Sequence, residues 1–271
     1  MNKVKLYNGV EVPQVGLGVF LSENGDEAAN AVKVALQNGY RHIDTAMSYG
    51  NETSVAKGIE LSGVKREDIF ITTKMATKDL RSSNFEEGFN NSLKNLNTDY
   101  IDLYLLHWPT GEYVEAYKFV EKMYKAGKIK AIGVSNFQIH HLKELEGLTK
   151  PMMNQIEQNP QFNNFEVIKY CHENDIQVTG WSPLGGGRGK SLLNNETILE
   201  LASKYNKTAA QVILRWQVQL GIVTLPKSVT ESRIISNIDV FNFELSNEDM
   251  EVMNNLNTGV RVGTDPDNIT W

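Results

Sequence analysis

One unit recurs along the chain: a short apolar run, a polar residue that ends it, a loop, an amphipathic segment and then a glycine. Eight runs fit the unit: Val15–Val19, Arg41–Asp44, Ile69–Lys74, Ile101–His107, Ile129–Ser135, Met153–Ile156, Gln177–Trp181 and Ile222–Pro226. The segments between them carry helical spacing. Between Asn24 and Gln37, for example, Ala28, Val32, Ala35 and Leu36 share one face of a 3.6-residue period. Strands that alternate with helices run parallel and cross over right-handedly. Eight such units in about 250 residues close into a (β/α)8 TIM barrel, an α/β fold, and residues 1–271 form one domain. The competing arrangement is an open doubly wound sheet.

Local signals punctuate the same pattern. Asn24 with Glu27, Ser83 with Glu86, and Thr208 with Gln211 read as helix N-caps reinforced three residues on. Gly39, Gly63, Gly127, Gly147 and Gly221 stand where left-handed C-caps belong. Ahead of the first unit, Asn8–Gly9 between Lys3–Tyr7 and Val10–Pro13 predicts a hairpin that plugs one end of the barrel. After Gly221, Thr230–Ile238 reads as the eighth helix and Ser246–Leu256 as an extra one, with Ser246 and Asp249 as its cap. The tail from Leu256 to Trp271 has little periodicity and is expected to fold over the barrel mouth.

Composition narrows the partners. A net charge of −6 argues against nucleic acid or an anionic membrane. No run approaches ~18 consecutive apolar residues, and the first five residues lack the apolar core of a signal peptide. Cys171 is the only cysteine, so no internal disulfide can form. A cytoplasmic, monomeric enzyme acting on a small molecule is the expectation.

In a barrel the chemistry sits at the C-terminal ends of the strands. Those ends carry Phe20, Asp44, Lys74, His107, Ser135–Asn136, Gln155, Trp181–Ser182 and Lys227–Ser228. Polar residues end strands anyway, because strands end at the surface. Asp, Lys and His at three successive ends, with Tyr49 just beyond the first, are harder to attribute to that tendency. Tyrosine is a poor acid at neutral pH, with an ordinary pKa near ~10. A neighbouring lysine cation lowers that value, and an aspartate keeps the lysine charged and in place. Such a tyrosine can give a proton to a carbonyl oxygen that is becoming an alkoxide, while histidine orients the carbonyl. No cysteine or metal cluster offers electrons, so a bound hydride donor is implied.

With these residues in view, the chain resembles the aldo-keto reductases over nearly its whole length. The resemblance is carried by Gly39–Ala46 with Tyr49 and Asn51–Glu52, by Leu105–Pro109 and by Ile132–Phe137. It continues in Asn154–Glu157, in Trp181–Leu184 and in Pro226–Ser228 with Arg233. Among relatives it is most similar to bacterial glyoxal/methylglyoxal and 2,5-diketo-gluconate reductases. The resemblance implies that Asp44, Tyr49, Lys74 and His107 are the catalytic tetrad, with Tyr49 as the acid. It implies that Ser135, Asn136 and Gln155 hold the carboxamide of NADPH/NADP+ and that Trp181 stacks on its nicotinamide. Ser182 and Leu184 fall in the same cofactor-binding segment. Lys227, Ser228 and Arg233 then surround the 2′-phosphate and adenine, and Phe20 and Trp108 wall the substrate pocket. The chain departs from common relatives at Met75, where many carry tryptophan and a wider pocket is implied. It departs again at Gln158–Asn159–Pro160 and at Ser236–Asn237.

Other features suggest sites less well. Gly185–Ser191 looks like a phosphate loop, but Leu184 occupies the position where that motif needs its first glycine; a loop over the cofactor pyrophosphate suits it better. His140–His141 lies far from any strand end, and adjacent residues point to different helix faces, so a solvated surface is expected and no metal site. Cys171 is read as a packed thiol. Glu157 could pair with Asp44 as in a barrel glycosidase, yet that leaves Tyr49, Lys74 and His107 idle, and Glu157 is read as structural. The resulting expectation is NADPH-dependent reduction of small aldehydes, dicarbonyls or ketones. The alternatives are a nucleotide-binding regulatory module on the same barrel, as in potassium-channel β subunits, and a barrel hydrolase.

Overall fold

The computed structural model describes residues 2–186 and 189–271. Eight parallel strands form one sheet in sequence order: β3 (Leu17–Gly18), β4 (His42–Asp44), β5 (Phe70–Met75), β6 (Ile101–Leu106), β7 (Ile129–Ser135), β8 (Met153–Glu157), β9 (Gln177–Trp181) and β10 (Val223–Thr224). Residues of β5, β6 and β8 are buried throughout, as expected for parallel strands covered on both faces. The sheet closes on itself. Val15 bridges Thr224 and Gly18 bridges Lys227, both parallel, and the Gly16 and Gly18 amides donate to the carbonyls of Thr224 and Pro226. The barrel therefore replaces the open sheet as the arrangement of these units.

The two closing strands are shorter than their apolar runs because they meet through single bridges. Glycine makes that approach possible. A Cβ at Gly16 would lie 2.8 Å from both the His42 ring and Leu225. One at Gly18 would lie 3.2 Å from the Leu225 carbonyl oxygen. Neither neighbour is free to give way in a packed interior.

Twelve helices appear among the described residues. Those that bear on the site are α1 (Asp26–Gln37), α2 (Glu52–Ser62), α6 (Ile139–Lys143), α10 (Ala209–Gln219), α11 (Glu231–Ile238) and α12 (Asn247–Asn254). The α1 face read from the sequence is the buried one. Thr208 with Gln211 forms a full capping box on α10, and the Ser246 side chain accepts the Asp249 amide on α12. Two expected caps fail. The Asn24 side chain accepts from Ser54 and Thr53 instead of capping α1, and Ser83 sits in the left-handed region at the end of an unpredicted short helix, Thr77–Ser82. In both cases a tertiary partner or a preceding turn outcompetes the local cap. All five glycines expected at helix ends have positive φ.

The hairpin pairs β1 (Lys3–Lys5) with β2 (Glu11–Pro13). It seals the N-terminal end of the barrel: Asn8 donates to the Lys130 carbonyl at the start of β7, and Gln14 reaches the Val218 carbonyl at the end of α10. Leu6 and Val12 join the core. The opposite end stays available to the polar strand ends, and the tail crosses it, as expected. Among the described residues no helix is long and apolar enough to cross a membrane.

Candidate active site

Asp44 ends β4 and Lys74 stands near the end of β5. Both are buried, Lys74 completely. The Lys74 ammonium donates to Asp44 Oδ1 at 2.8 Å, to the Thr45 carbonyl at 2.9 Å and, over a long 3.4 Å, to Tyr49 Oη. Its three donors thus have three acceptors, which is what a buried cation needs. The other oxygen, Asp44 Oδ2, accepts from Gln155 Nε2 at 2.7 Å, across the barrel from β8. Burial works against the charged form of Lys74, but Asp44 and Tyr49 outweigh it and hold the ammonium above its ordinary pKa.

Tyr49 sits in a single turn of 3-10 helix after β4 and is part-buried. Burial raises its pKa more than Lys74 lowers it, and Asp44 raises it further. The expected net lowering is therefore corrected: in this environment Tyr49 is a neutral phenol with its proton in place. His107 follows β6 and meets the Tyr49 ring edge-on, with centroids 5.6 Å apart. Burial, and then the Lys74 charge, holds His107 well below the ordinary histidine range. It is a neutral imidazole with one N–H to donate.

The turn that presents Tyr49 is stapled by residues to which the sequence reading gave no role. Asn51 donates to the Val19 and Ser22 carbonyls and accepts from Thr45 Oγ1. Buried Glu52 accepts from Thr73 Oγ1 at 2.7 Å and from Asn95 at 3.0 Å. Polar residues so soon after a buried strand were the available signal, since such groups are retained only when paired.

The strand ends of β7, β8 and β9 make a second, continuous group. Register sets Ser135 beside Gln155 and Glu157 beside Trp181. Ser135 Oγ donates to the Gln155 carbonyl at 3.0 Å. Asn136, at φ 66°, donates to the His107 carbonyl at 3.0 Å and accepts from the Trp181 indole at 2.8 Å. Ser182 is also left-handed, at φ 50°, so both turns leave the strand direction at the mouth. With its amide committed to Asp44, Gln155 keeps its Oε1 as an acceptor. A hydroxyl and two amide side chains on one wall suit a carboxamide, which both donates and accepts. Leu184 leans on two apolar clusters. Lys227 and Arg233 are exposed at the β10–α11 turn, with Ser228 buried between them and held to the Thr230 amide. Among the described residues neither cation pairs with a carboxylate, and both lie by a helix N-terminus, a combination that suits a phosphate. The donor set therefore fits a phosphorylated nicotinamide dinucleotide.

Aromatic rings cluster around Tyr49 and His107. Phe20 lies 4.9 Å from Tyr49 between centroids, and Trp108 meets Trp271 edge-on at 5.4 Å. The Trp271 contact was invisible in an aperiodic tail. Met75, next to Lys74 on β5, is wholly buried in the core. Gln158 and Asn159 are also buried, and Gln158 is tied to Gln217 of α10. Both glycosidase candidates are occupied: Asp44 as described, and Glu157 by two amides of the tail.

His140 is exposed as expected, but His141 is buried, and the two rings converge on Asp267 with Nε2 atoms 3.1 and 3.5 Å from its Oδ1. The helix is only five residues long, and the Asp267 contact draws both rings to one side. The trio has metal-like spacing. However, His141 Nδ1 accepts the Gln138 amide, so its proton resides on Nε2, the atom a metal would need; ligating histidines donate from their other nitrogen. The trio reads as a latch on the tail. The Cys171 thiol is buried and pushed up to about 12 by burial, with the Asn154 hydrogen bond opposing, which leaves it inert. Gly187 and Arg188, in the glycine-rich stretch expected over the pyrophosphate, lie outside the described residues.

The Aldo/keto reductase family profile matches residues 14–258. The glyoxal reductase of Bacillus subtilis (strain 168) is 52% identical over 271 residues, covering 99% of this chain and 97% of that protein. The chain belongs to the aldo-keto reductase family. Methylglyoxal reductase DkgA of Escherichia coli (strain K12) is 44% identical over 97% of this chain and 96% of its own. The crystal structure of a Bombyx mori aldo-keto reductase in complex with NADP superimposes with a TM-score of 0.91, at 32% identity, over 98% of this chain and 96% of that one. This aldo-keto reductase is thus a carbonyl-reducing oxidoreductase, with the family's barrel and a hairpin at its closed end.

Proposed function

We propose that this aldo-keto reductase reduces small aldehydes and dicarbonyls of the glyoxal and methylglyoxal type, with NADPH as hydride donor and Tyr49 as general acid. The observation that carries the reading is the part-buried Tyr49 hydroxyl 3.4 Å from the ammonium of the buried Lys74–Asp44 pair. The names of the relatives from Bacillus subtilis and Escherichia coli support the substrate class, and the silkworm complex supports the cofactor. NADPH, when bound, supplies the hydride. Ser135, Asn136, Gln155 and Trp181 would hold its carboxamide and ring, and Lys227, Ser228 and Arg233 its extra phosphate.

The chain's own groups do the rest. His107 donates its single N–H to the carbonyl oxygen and fixes its direction. Tyr49 gives its proton to that oxygen as negative charge develops there, and Lys74, charged and immobile, stabilises the phenolate left behind. Asp44 keeps Lys74 charged through the cycle. Phe20 and Trp108 exclude water and leave room for a short carbonyl.

The test is NADPH oxidation with methylglyoxal, followed by the loss of cofactor absorbance. Tyr49→Phe removes one oxygen, and turnover should fall by ~10²–10⁴-fold while NADPH binding and folding persist. Near-normal turnover in that variant would sink the assignment of Tyr49.

A further inference from the structure

The tail is fastened to the barrel at a buried point that the proposed chemistry does not use. Glu157, the last residue of β8, is 1% exposed. Its Oε1 accepts the Val262 amide at 2.6 Å and its Oε2 the Gly263 amide at 3.0 Å. Two backbone N–H groups more than a hundred residues away thus each meet one of its oxygens. Such charge-assisted bonds are about twice as strong as neutral ones. Where they hold the tail is informative. Gly263 lies directly on the Trp181 ring: a Cβ there would stand 2.4 Å from Trp181 Cη2 and 3.3 Å from Glu157 Oε2. Trp181 in turn donates to Asn136.

We infer that Glu157 is a positioning residue: it clamps the tail at Val262 and Gly263 against Trp181, and so couples tail docking to occupancy of the nicotinamide site. This rests on the proposal that Trp181 and Asn136 face the nicotinamide. The chain of contacts is short and complete. Glu157 fixes Gly263, Gly263 backs one part of the Trp181 ring, and the Trp181 indole fixes Asn136. Releasing the tail frees Trp181 to rotate away from its packed position, which costs cofactor affinity. By linkage, a cofactor that needs Trp181 in place must hold the tail down by the same factor. Nothing in this sequence touches the proton donor, so binding should suffer more than turnover at saturation.

Arg261 provides a direct readout. It is the only lysine or arginine after Arg233, and the bond trypsin would cut, Arg261–Val262, contains the amide held by Glu157. Cutting it removes residues 262–271 and demands that this amide leave Glu157 first. The full-length protein is digested with trypsin and followed by intact mass, with and without NADP+. In parallel, NADPH binding is titrated by fluorescence, and kcat and KM are measured for NADPH and methylglyoxal. Glu157→Gln keeps the shape but gives up the charge and one acceptor. It should speed cleavage at Arg261 about tenfold or more. It should also raise the KM for NADPH several-fold and leave kcat within about threefold, with a melting temperature near that of the wild type. Gly263→Ala keeps Glu157 but drives a methyl into Trp181, and it should give the same pattern. NADP+ should slow cleavage in the wild type and do so less in either variant.

Unchanged cleavage in Glu157→Gln overturns the clamp. A wild-type cleavage rate indifferent to saturating NADP+ overturns the coupling, and so does a loss confined to kcat. Failure of the functional reading looks different. A wild type that binds NADP+ and shows the full cleavage pattern, yet reduces no carbonyl, would remove the proposed reaction and keep the clamp.

Discussion

Asp44→Asn is the perturbation for which the structure gives the clearest magnitude. It keeps the shape of the side chain and the acceptor for Gln155, but it removes the charge facing Lys74. The Lys74 ammonium, with no solvent exposure, would keep only the Thr45 carbonyl and the long Tyr49 contact. Leaving one partner of a buried pair uncompensated costs about 3–5 kcal/mol. Unfolding entropy of about 2.1 cal/mol/K per residue gives about 0.57 kcal/mol/K for a chain of 271 residues. The melting temperature should therefore fall by about 5–9 °C, read by scanning calorimetry or dichroism.

The pH dependence of that loss identifies its cause. In the wild type Lys74 has a raised pKa, so its contribution is fully present below the ordinary lysine value and is lost only as pH rises through the raised one. In Asp44→Asn the folded-state pKa drops below the ordinary value. The unfolded chain then binds the extra proton, and stability rises with pH. The deficit should shrink between pH 7 and pH 9.5. The double variant Asp44→Asn/Lys74→Met buries no charge and should recover to within about 1–2 kcal/mol of the wild type, since buried pairs are commonly replaceable by neutral groups. Its turnover should stay at the level of the weaker single variant, because the two residues serve one function. A deficit independent of pH, together with a double variant as unstable as the sum of its parents, would refute the view that Asp44 exists to charge Lys74.

Further outcomes follow from other parts of the molecule. Replacing Lys227 and Arg233 together by neutral residues should raise the KM for NADPH and barely alter that for NADH; equal effects on both would show that neither cation meets the phosphate. Burial holds His42 down to about 4 against the opposing pull of Asp44, and His107 is also held low. The unfolded chain therefore takes up protons below pH ~6.5 that the folded one refuses, and stability should fall by up to about 1.4 kcal/mol per pH unit for each of the two. Urea melts at pH 7 and pH 5 check this, and His42→Asn should flatten the slope. Gly16→Ala drives a methyl into His42 and Leu225 at the barrel seam and should destabilise by about 1–3 kcal/mol; an unchanged denaturation midpoint would mean the seam is slack.

The barrel was legible because its signals are local and repeated. Period, caps and strand-end residues each lie within a few positions of one another, and eight units agree. Its failures are tertiary. Asn24 has the right spacing for a cap, yet it turns to Ser54 on the neighbouring helix α2, a partner 30 residues away that no local window contains. The closing strands are shorter than their apolar runs because Gly16 and Gly18 join them by bridges, a geometry set by the opposite edge of the sheet. Likewise His140 and His141 point apart on an ideal helix but converge because Asp267, brought by the tail, attracts both. The tail's course at Val262 and Gly263 is fixed by the Glu157 carboxylate, and the sequence around those two residues carries no sign of it.

The charge state of Tyr49 is where physical chemistry revises the reading most. Lysine beside tyrosine suggests a phenol made more acidic, and the Lys74 charge does act in that direction. Burial and Asp44 act against it and win. A raised pKa keeps the proton on Tyr49 at rest but makes the phenol a weaker acid, so proton transfer would depend on stabilising the phenolate as it forms. Tyr49 waits protonated, with a cation already in place beside it. In the proposed reaction, as negative charge builds on the carbonyl oxygen the proton would move to that oxygen, and the phenolate left behind would meet Lys74 already in place. His107 is less suited to that step, because a neutral imidazole that gives up its one proton would become an imidazolate in the same buried space. The proposed division of labour thus follows from environment: the tyrosine would be ionised next to Lys74, and the histidine would orient the carbonyl.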